Sequence, residues 1–183
     1  MFENIRADYR SHGRRASAQG LWVLVVYRFG RWRYGIRPRW LRMPFSFAYH
    51  VLFKLVQILT GVELPCETPI GRNFVIDHFG GIVISGYASF GDNCRVRNGV
   101  VVGLKNIDEP VAPRIGNDVD IGAGAKVLGP LVIGDRVVIG ANAVVLTDVP
   151  SDHIAVGVPA VIKPRRVPGA SVPEMPDMSA SLE

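Results

Sequence analysis

An aliphatic or aromatic residue recurs every six positions through the middle of the chain, in three uninterrupted runs. The runs extend from Leu64 to Ile76, from Ile84 to Val102 and from Ile115 to Val145. Glycine often follows the repeated residue, where it relieves crowding at a corner or adopts a positive φ. A period of six fits neither an amphipathic helix nor a two-sided strand. It predicts an all-β parallel β-helix, in which each unit is a short strand plus a turn and three units close one triangular rung.

Two interruptions of this period predict loops that leave the coil. The spacing widens to eight around His78 and to thirteen across residues 103–114. In a solenoid, insertions map to one face and often carry function. We therefore expect the chemistry of this protein close to these two interruptions.

The first 60 residues predict an α-helical segment instead. Residues 19–32 are apolar with a basic flank, and apolar residues recur at helical spacing over 45–59. Pro38 and Pro44 separate these helices, and Gly61 is suited to cap the second one. The expected organisation is a basic helical segment at 1–60, a β-helix domain at 61–150, a C-terminal extension at 151–166 and a disordered tail at 167–183.

Positive charge is concentrated in the helical segment. Residues 1–60 carry ten Arg and one Lys against two acidic residues, a net charge of +9, whereas residues 61–183 have a net charge of −4. Both a solvated basic face and attraction to an anionic surface, either membrane lipid or a phosphate-bearing substrate, are consistent with this charge. No zinc, helix-turn-helix or RNA-recognition motif accompanies it, so we expect no nucleic-acid partner.

The apolar runs and the cysteines predict a cytoplasmic location. No stretch reaches the roughly 18 uninterrupted apolar residues of a membrane span. Two cysteines do not make a disulfide framework, which favours a reducing compartment. Peripheral contact with the inner membrane stays an alternative because of the basic segment.

The chain resembles the serine O-acetyltransferase group of hexapeptide-repeat acyltransferases over about residues 21–166. The segments that carry the likeness are Gly61-Val-Glu-Leu64, Ile70 to His78, Ile121 to Pro130, Ile139 to Pro150 and Gly157 to Ala160. Its short helical segment and its loop ending in Ala112-Pro-Arg-Ile-Gly116 look closer to acetyltransferases of exopolysaccharide synthesis, such as those of colanic acid. The resemblance implies a left-handed β-helix, a homotrimer with active sites between subunits, acetyl-CoA as donor and no metal.

The resemblance also implies that His78 is the general base and that Glu63 orients it. An imidazole suits this task because its charge changes near neutral pH, and a carboxylate on the far ring nitrogen would stabilise the imidazolium. Their separation of fifteen residues is close to one rung, so we expect them on adjacent rungs. We expect direct transfer, because Cys94 occupies an inward position where a thiolate is costly and Cys66 has no evident base.

Other candidates are expected to contact the two substrates. Those assigned to the acceptor are Asp77, Asn98 and Arg114. The resemblance assigns Gly103, Ala123 and Ala141 to coenzyme A, and the basic side chains of Lys163 and Arg165 are suited to meet its phosphates. Backbone N–H groups near Gly103 are expected to stabilise the oxyanion. Support of the loop is an alternative role for Asp77, and packing between rungs explains the alanines equally well.

Four departures from the serine enzymes predict a sugar as the acceptor. Where those enzymes have an Arg-His pair that binds a carboxylate, this chain has Val111 and Ala112. It also has Ser85-Gly86-Tyr87 for their Gly-Glu-Thr, a shorter N-terminal segment and no terminal Ile for docking cysteine synthase. We therefore predict transfer to a sugar hydroxyl of a lipid- or nucleotide-linked exopolysaccharide precursor, without a cysteine synthase complex. Serine acetylation is the alternative, and a non-catalytic β-helix scaffold is the alternative from another class.

Overall fold

The computed structural model describes residues 2–165, over which three α-helices precede fourteen short β-strands. The helices are α1 (Phe2–Ser11), α2 (Gln19–Arg33) and α3 (Arg39–Thr60). The strands are β1 (Val62–Glu63), β2 (Val75–Asp77), β3 (Ile82–Ile84), β4 (Ser89–Phe90), β5 (Arg95–Arg97), β6 (Val101–Gly103), β7 (Arg114–Ile115), β8 (Asp120–Ile121), β9 (Lys126–Leu128), β10 (Val132–Ile133), β11 (Val138–Ile139), β12 (Val144–Val145), β13 (His153–Val156) and β14 (Val161–Pro164). The tail predicted at 167–183 lies outside the described residues.

The strands form a parallel β-helix with three faces. Face A contains β1, β3, β6, β9 and β12; face B contains β4, β7 and β10; face C contains β2, β5, β8, β11 and β13, with β14 antiparallel at its end. The chain visits faces A, B and C in turn, so each strand pairs with its equivalent in the next rung. The predicted left-handed parallel β-helix with an N-terminal helical segment is confirmed.

The repeated aliphatic side chains fill the interior of the coil. Of the thirteen predicted positions, twelve are buried and Ile70, in the first rung, is half-buried. The residues two positions earlier are buried as well. One of them is polar: the hydroxyl of Thr68 donates to the carbonyl of Ser85 at 3.0 Å, which satisfies it inside the core. Each rung thus contributes to the stability of the coil through contacts with its neighbouring rungs.

The corner where face C passes into face A, here called the C–A edge, carries the first interruption of the repeat. It comprises residues 78–81 in the first rung and residues 98–99, 123–124 and 141–142 in the next three. The backbones of successive rungs approach closely here: a Cβ added to Gly99 would lie 3.3 Å from the Cα of Gly124. This edge can therefore accept only small or glycine residues at its innermost positions.

Buried polar contacts hold the helical segment on the first rung. Arg28 of α2 forms an ion pair with Asp8 of α1, with Nε 3.0 Å from Oδ2, and both side chains are almost fully buried. The same guanidinium donates to the carbonyl of Gly71 at 2.7 Å. The hydroxyl of Tyr27 donates to the carbonyl of Thr68 at 2.6 Å. Removing one partner of such a buried pair is strongly destabilising, so α1 and α2 are fixed relative to the coil.

Two boundaries differ from the sequence prediction, and α1 was not indicated by the apolar pattern at all. Pro44 lies inside α3 rather than before it, near the start of the helix, where it removes a single backbone hydrogen bond. The coil also continues beyond residue 150, because β13 pairs in parallel with β11. Val149 and Ala155 are buried and lie six residues apart, as the repeat requires. The step from Val145 to Val149 is only four residues, so the period of six is interrupted there and the sequence did not reveal the continuation. Within residues 2–165, no helix is long and apolar enough to cross a membrane.

Candidate active site

His78 occupies the C–A edge of the first rung, immediately after β2. Its backbone has a φ of +60°, and its side chain is exposed. A positive φ is uncommon for residues other than glycine, and histidine is one of those that adopt it more readily. Because Asp77 pairs with Arg97 of the next rung, His78 lies beside Asn98 along the edge. The imidazole is therefore on the surface of the coil, next to a second polar side chain.

A cleft of about 570 Å³ opens between this edge and the turn from α1 to α2. The coil contributes Asp77, His78 and Phe79 to its wall, and the turn contributes residues 11–20, including Arg15. Arg15 is exposed and takes part in no ion pair within the described part of the chain. The cleft thus combines an imidazole, a carboxylate and a guanidinium, although the sequence pattern pointed only to the first two.

His12 connects the α1–α2 turn to the coil. Its Nδ1 donates to the carbonyl of Asp8 at 2.8 Å, and its Nε2 accepts from the backbone N–H of Ile76 at 3.3 Å. Both ring nitrogens are therefore engaged in structural contacts. Close packing of Gly20 against Ile76 leaves no room for a Cβ and fixes the same junction.

Glu63 accepts a hydrogen bond from Nε2 of Gln57 at 3.0 Å. Among the described residues, no hydrogen bond joins its carboxylate to His78. Glu63 lies on β1 and pairs with Val83 of β3, one corner beyond His78. The orienting role assigned to Glu63 stays a prediction.

Asp77 is paired with a cation from the next rung. Its Oδ2 lies 3.1 Å from Nη1 of Arg95, and both side chains are partly exposed. A pair this exposed contributes little to stability, so it can exchange its partner at little cost. On the same face, the guanidinium of Arg97 donates to both carboxylate oxygens of Asp120, and this contact raises the pKa of Arg97 and holds its side chain in place.

The structure brings three other candidate residues onto the edge that carries His78. Asn98, Ala123 and Ala141 occupy corresponding corners of the second, third and fourth rungs. The carbonyl of Asn98 accepts from the N–H of Gly124 at 2.8 Å. Ala123 and Ala141 place small side chains at the corners of the third and fourth rungs, and both residues are at least partly exposed.

Lys126 also reaches this edge and was missed by the sequence prediction. Its Nζ donates to the carbonyls of Gly99 and Gly124 at 2.7 and 2.8 Å. Lys126 occupies an outward position of β9, and the six-residue period constrains only the inward positions. No signal in the repeat therefore distinguishes it from other surface residues.

Gly103 and Arg114 lie away from the C–A edge within one protomer. Gly103 ends β6 at the opposite side of face A, where its carbonyl accepts from the N–H of Gly129 at 3.0 Å. Arg114 begins β7 on face B and is exposed. A single site that uses either residue together with His78 requires a second copy of the chain.

The two basic residues after the last rung are separated from each other. Lys163 is exposed on β14 opposite Ile154. Arg165 follows β14, and its guanidinium donates to the carbonyl of Arg136 at 3.2 Å, near the corner between faces B and C. The geometry therefore leaves Lys163 nearer to the C–A edge than Arg165.

The cysteines are both buried. Burial raises the pKa of the Cys94 thiol to about 11, so the thiol stays protonated at neutral pH. The sulfur of Cys66 lies 3.6 Å from Nη2 of Arg33, beneath α2 and α3. Inaccessible sulfur atoms cannot receive an acyl group from a bulky thioester, which favours direct transfer.

Comparisons with known proteins point to one group of enzymes. The family described as bacterial transferase hexapeptide (six repeats) matches residues 112–147. A serine acetyltransferase of Synechococcus elongatus is 37% identical over an alignment that covers 100% of this chain and 78% of that protein. One from Helicobacter pylori is 39% identical over 75% of this chain and 77% of its own length.

Solved structures give the same result. The crystal structure of serine acetyltransferase from Brucella abortus has a TM-score of 0.77 and 25% identity, covering 90% of this chain and 69% of that chain. The Neisseria gonorrhoeae serine acetyltransferase in complex with serine has a TM-score of 0.75 and 26% identity, covering 88% of this chain and 68% of that chain.

These relatives contradict the predicted acceptor, a sugar hydroxyl of an exopolysaccharide precursor. All of them are named serine acetyltransferase, and the similarity extends over most of the chain. The prediction gave too much weight to Val111 and Ala112. Ala112 is buried against the coil, and Arg15, from a different element, lines the same cleft as His78.

Proposed function

The chain belongs to the serine acetyltransferase family, and on that premise we propose that it transfers the acetyl group of acetyl-CoA to the hydroxyl group of serine. Membership of the family makes it an acyltransferase with acetyl-CoA as the donor, as the sequence predicted. The acceptor rests on one observation above all, the 37% identity to the Synechococcus elongatus enzyme across the full chain.

In the proposed reaction, His78 accepts the proton of the serine hydroxyl while the oxygen attacks the thioester carbonyl. The new C–O bond gives a tetrahedral intermediate, which collapses with cleavage of the C–S bond. The imidazolium then returns its proton to the thiolate of coenzyme A. The products are O-acetylserine and coenzyme A, and no group stays on the enzyme. One imidazole can perform both proton transfers because its charge changes near neutral pH.

Arg15 and Asp77 supply the charges that a zwitterionic amino acid requires. The guanidinium of Arg15 can bind a carboxylate through two parallel hydrogen bonds. Asp77 binds the ammonium group by exchanging its exposed contact with Arg95. Both side chains line the cleft beside His78, which supports this assignment over one that depends on the loop at residues 103–114.

Coenzyme A lies along the C–A edge in this proposal. Ala123 and Ala141 leave space for the pantetheine arm, and Lys163 approaches the phosphates. A homotrimer then places Gly103 and Arg114 of a neighbouring subunit against this edge, where backbone N–H groups near Gly103 stabilise the oxyanion. Glu63 orients His78, and Asn98 contacts the acceptor.

Release of free thiol from acetyl-CoA in the presence of L-serine tests the proposal. We expect turnover by the unaltered protein and a fall in kcat/KM of about 10²–10⁴-fold in His78→Asn, which loses the base. Asparagine tolerates the left-handed backbone at this position, so the fold should be retained. His153→Asn is the matched control, because His153 lies outside the cleft, and it should keep full activity.

Two results would count against these assignments. An unaltered protein that does not acetylate serine contradicts the acceptor. A His78→Asn variant with undiminished turnover contradicts the mechanism while leaving the acceptor in place.

A further inference from the structure

The helix α3 exposes an apolar face that points away from the rest of the protein. Its exposed large apolar residues are Trp40, Leu41, Met43, Phe47, Val51, Leu52, Leu55, Ile58 and Leu59. The side chains of Trp40, Phe47 and Ile58 are 74%, 74% and 79% exposed. Tyr49, on the opposite side of the helix, is buried at 3%. A surface helix normally has one polar side, so α3 is apolar on both its inner and its outer face.

An exposed patch of this size indicates an interaction site. Scattered apolar residues are normal on a protein surface, but contiguous patches mark contacts with proteins, ligands or membranes. The spacing of Trp40, Phe47, Val51 and Ile58 places them in one row along the helix. The row extends over most of the 22 residues of α3. Its occupant must therefore be an extended apolar surface rather than a small molecule.

Charge decides between the possible occupants. Between Asp8 and Glu63 the chain has ten Arg and Lys residues and no acidic residue. Arg37, Arg39 and Lys54 are exposed, and none of the three forms an ion pair within residues 2–165. Pairing this face with the same face of a second copy would bring like charges together, because no carboxylate lies between Asp8 and Glu63 to offset them. An anionic lipid surface supplies phosphates for the cations and acyl chains for the apolar row.

We propose that α3 lies in the headgroup region of an anionic membrane, with its apolar row inserted and its cations among the lipid phosphates. Helices that bind membranes in this way combine Trp, Phe and Leu on one side with Lys and Arg at its margins. Trp40 suits the interface because its ring is amphipathic. The enzyme would then be held at the membrane surface without a spanning helix, whichever acceptor it uses.

Flotation of the full-length protein with lipid vesicles tests this proposal. We expect it to rise with vesicles containing about one third phosphatidylglycerol, and not with vesicles of phosphatidylcholine alone, since each basic side chain near an anionic surface strengthens binding about fivefold. High salt should release much of the bound protein. Protein that stays unbound in the presence of the anionic vesicles would overturn the proposal.

Variants separate the two contributions to binding. Phe47→Asp combined with Ile58→Asp should lower the bound fraction at least about tenfold, because both side chains leave the bilayer. Ile107→Asp combined with Val161→Asp is the control, since it adds the same two negative charges at exposed apolar residues outside α3. Arg37→Gln combined with Arg39→Gln leaves the apolar row intact and should lower binding by the charge contribution alone. Circular dichroism verifies that each variant is folded.

Light scattering without lipid gives the remaining decisive outcome. If the unaltered protein forms an assembly larger than that of the Phe47→Asp and Ile58→Asp variant, a second copy covers the face and the membrane proposal is wrong. The membrane proposal is supported if the unaltered protein and the Phe47→Asp and Ile58→Asp variant form assemblies of equal size and only the variant loses binding to vesicles.

Discussion

Arg15 shares a cleft with His78 and Asp77 although 62 residues separate Arg15 from Asp77 along the chain. Its cation forms no ion pair within residues 2–165 and can bind a substrate carboxylate, and charge-assisted hydrogen bonds contribute about 1.5–3 kcal/mol. We therefore predict that Arg15→Ala raises the KM for L-serine roughly 10- to 100-fold, with a smaller change in kcat. Steady-state kinetics with L-serine and with its methyl ester, which lacks the carboxylate, measure this directly.

The ester separates a binding role from a general loss of structure. Arg15→Ala should leave the KM for the ester unchanged, and Arg10→Ala, an exposed arginine outside this cleft, should leave both values unchanged. An equal increase for serine and ester in Arg15→Ala would mean that Arg15 only supports the turn. If the unaltered protein shows no turnover with L-serine, that result contradicts serine as the acceptor and says nothing about Arg15.

At the level of the rungs, glycine after the repeated aliphatic residue serves close packing rather than a special backbone angle. A Cβ on Gly122 would lie 2.5 Å from the backbone nitrogen of Ala141 in the next rung, and Gly116 and Gly134 are similarly crowded. Positive φ occurs three residues after the aliphatic position, as at Asn93 and Asp118. The glycine after the repeated residue therefore relieves crowding at the corner, and the positive φ falls later in the same turn.

Gly122→Ala tests this account of the rung. The methyl group meets backbone that cannot move independently of its strand, and overpacking of this kind costs about 1–3 kcal/mol. We expect the melting temperature to fall by roughly 3–10 °C. Gly86→Ala is the matched control, because the atom nearest to its added Cβ is 3.5 Å away, an ordinary van der Waals contact, and it should melt with the unaltered protein. Equal melting temperatures for the two variants would contradict the packing argument.

The repeat predicted the interior of the coil well because each inward position meets the same environment in every rung. It predicted less where contacts come from distant segments. The position of α1 depends on the buried pair of Asp8 and Arg28, which joins residues 20 apart and leaves no periodic trace. Arg15 was missed because it lies in the α1–α2 turn, outside the repeat. Lys126 was missed because it occupies an outward position of β9, which the period does not constrain. The interruption at His78 was informative because it broke a regular pattern.

For the whole molecule, the proposed site is divided between two surfaces of the protomer. His78 lies on the C–A edge, whereas Arg114 lies on face B. A cyclic trimer would bring these surfaces of adjacent copies together, because a heterologous interface joins two different patches and closes after three copies. We expect light scattering to give a mass of about three chains of 20.0 kDa. A monomeric enzyme with full activity would exclude a shared site.

Mixing of inactive subunits tests whether the site is shared. His78→Asn and Arg114→Ala should each lower activity as homotrimers, the first through the base and the second through the acceptor. If His78 of one subunit works with Arg114 of the next, random mixed trimers from co-expression should contain about one quarter intact sites, since each site needs one subunit of each kind in the right order. Activity of the mixture would then exceed that of both parents. If both residues act within one protomer, no mixed trimer contains an intact site, and the activity of the mixture equals the average of the parents. Mixtures of His78→Asn with Asp77→Asn should show that average, because those two residues are adjacent in the chain and line the same cleft.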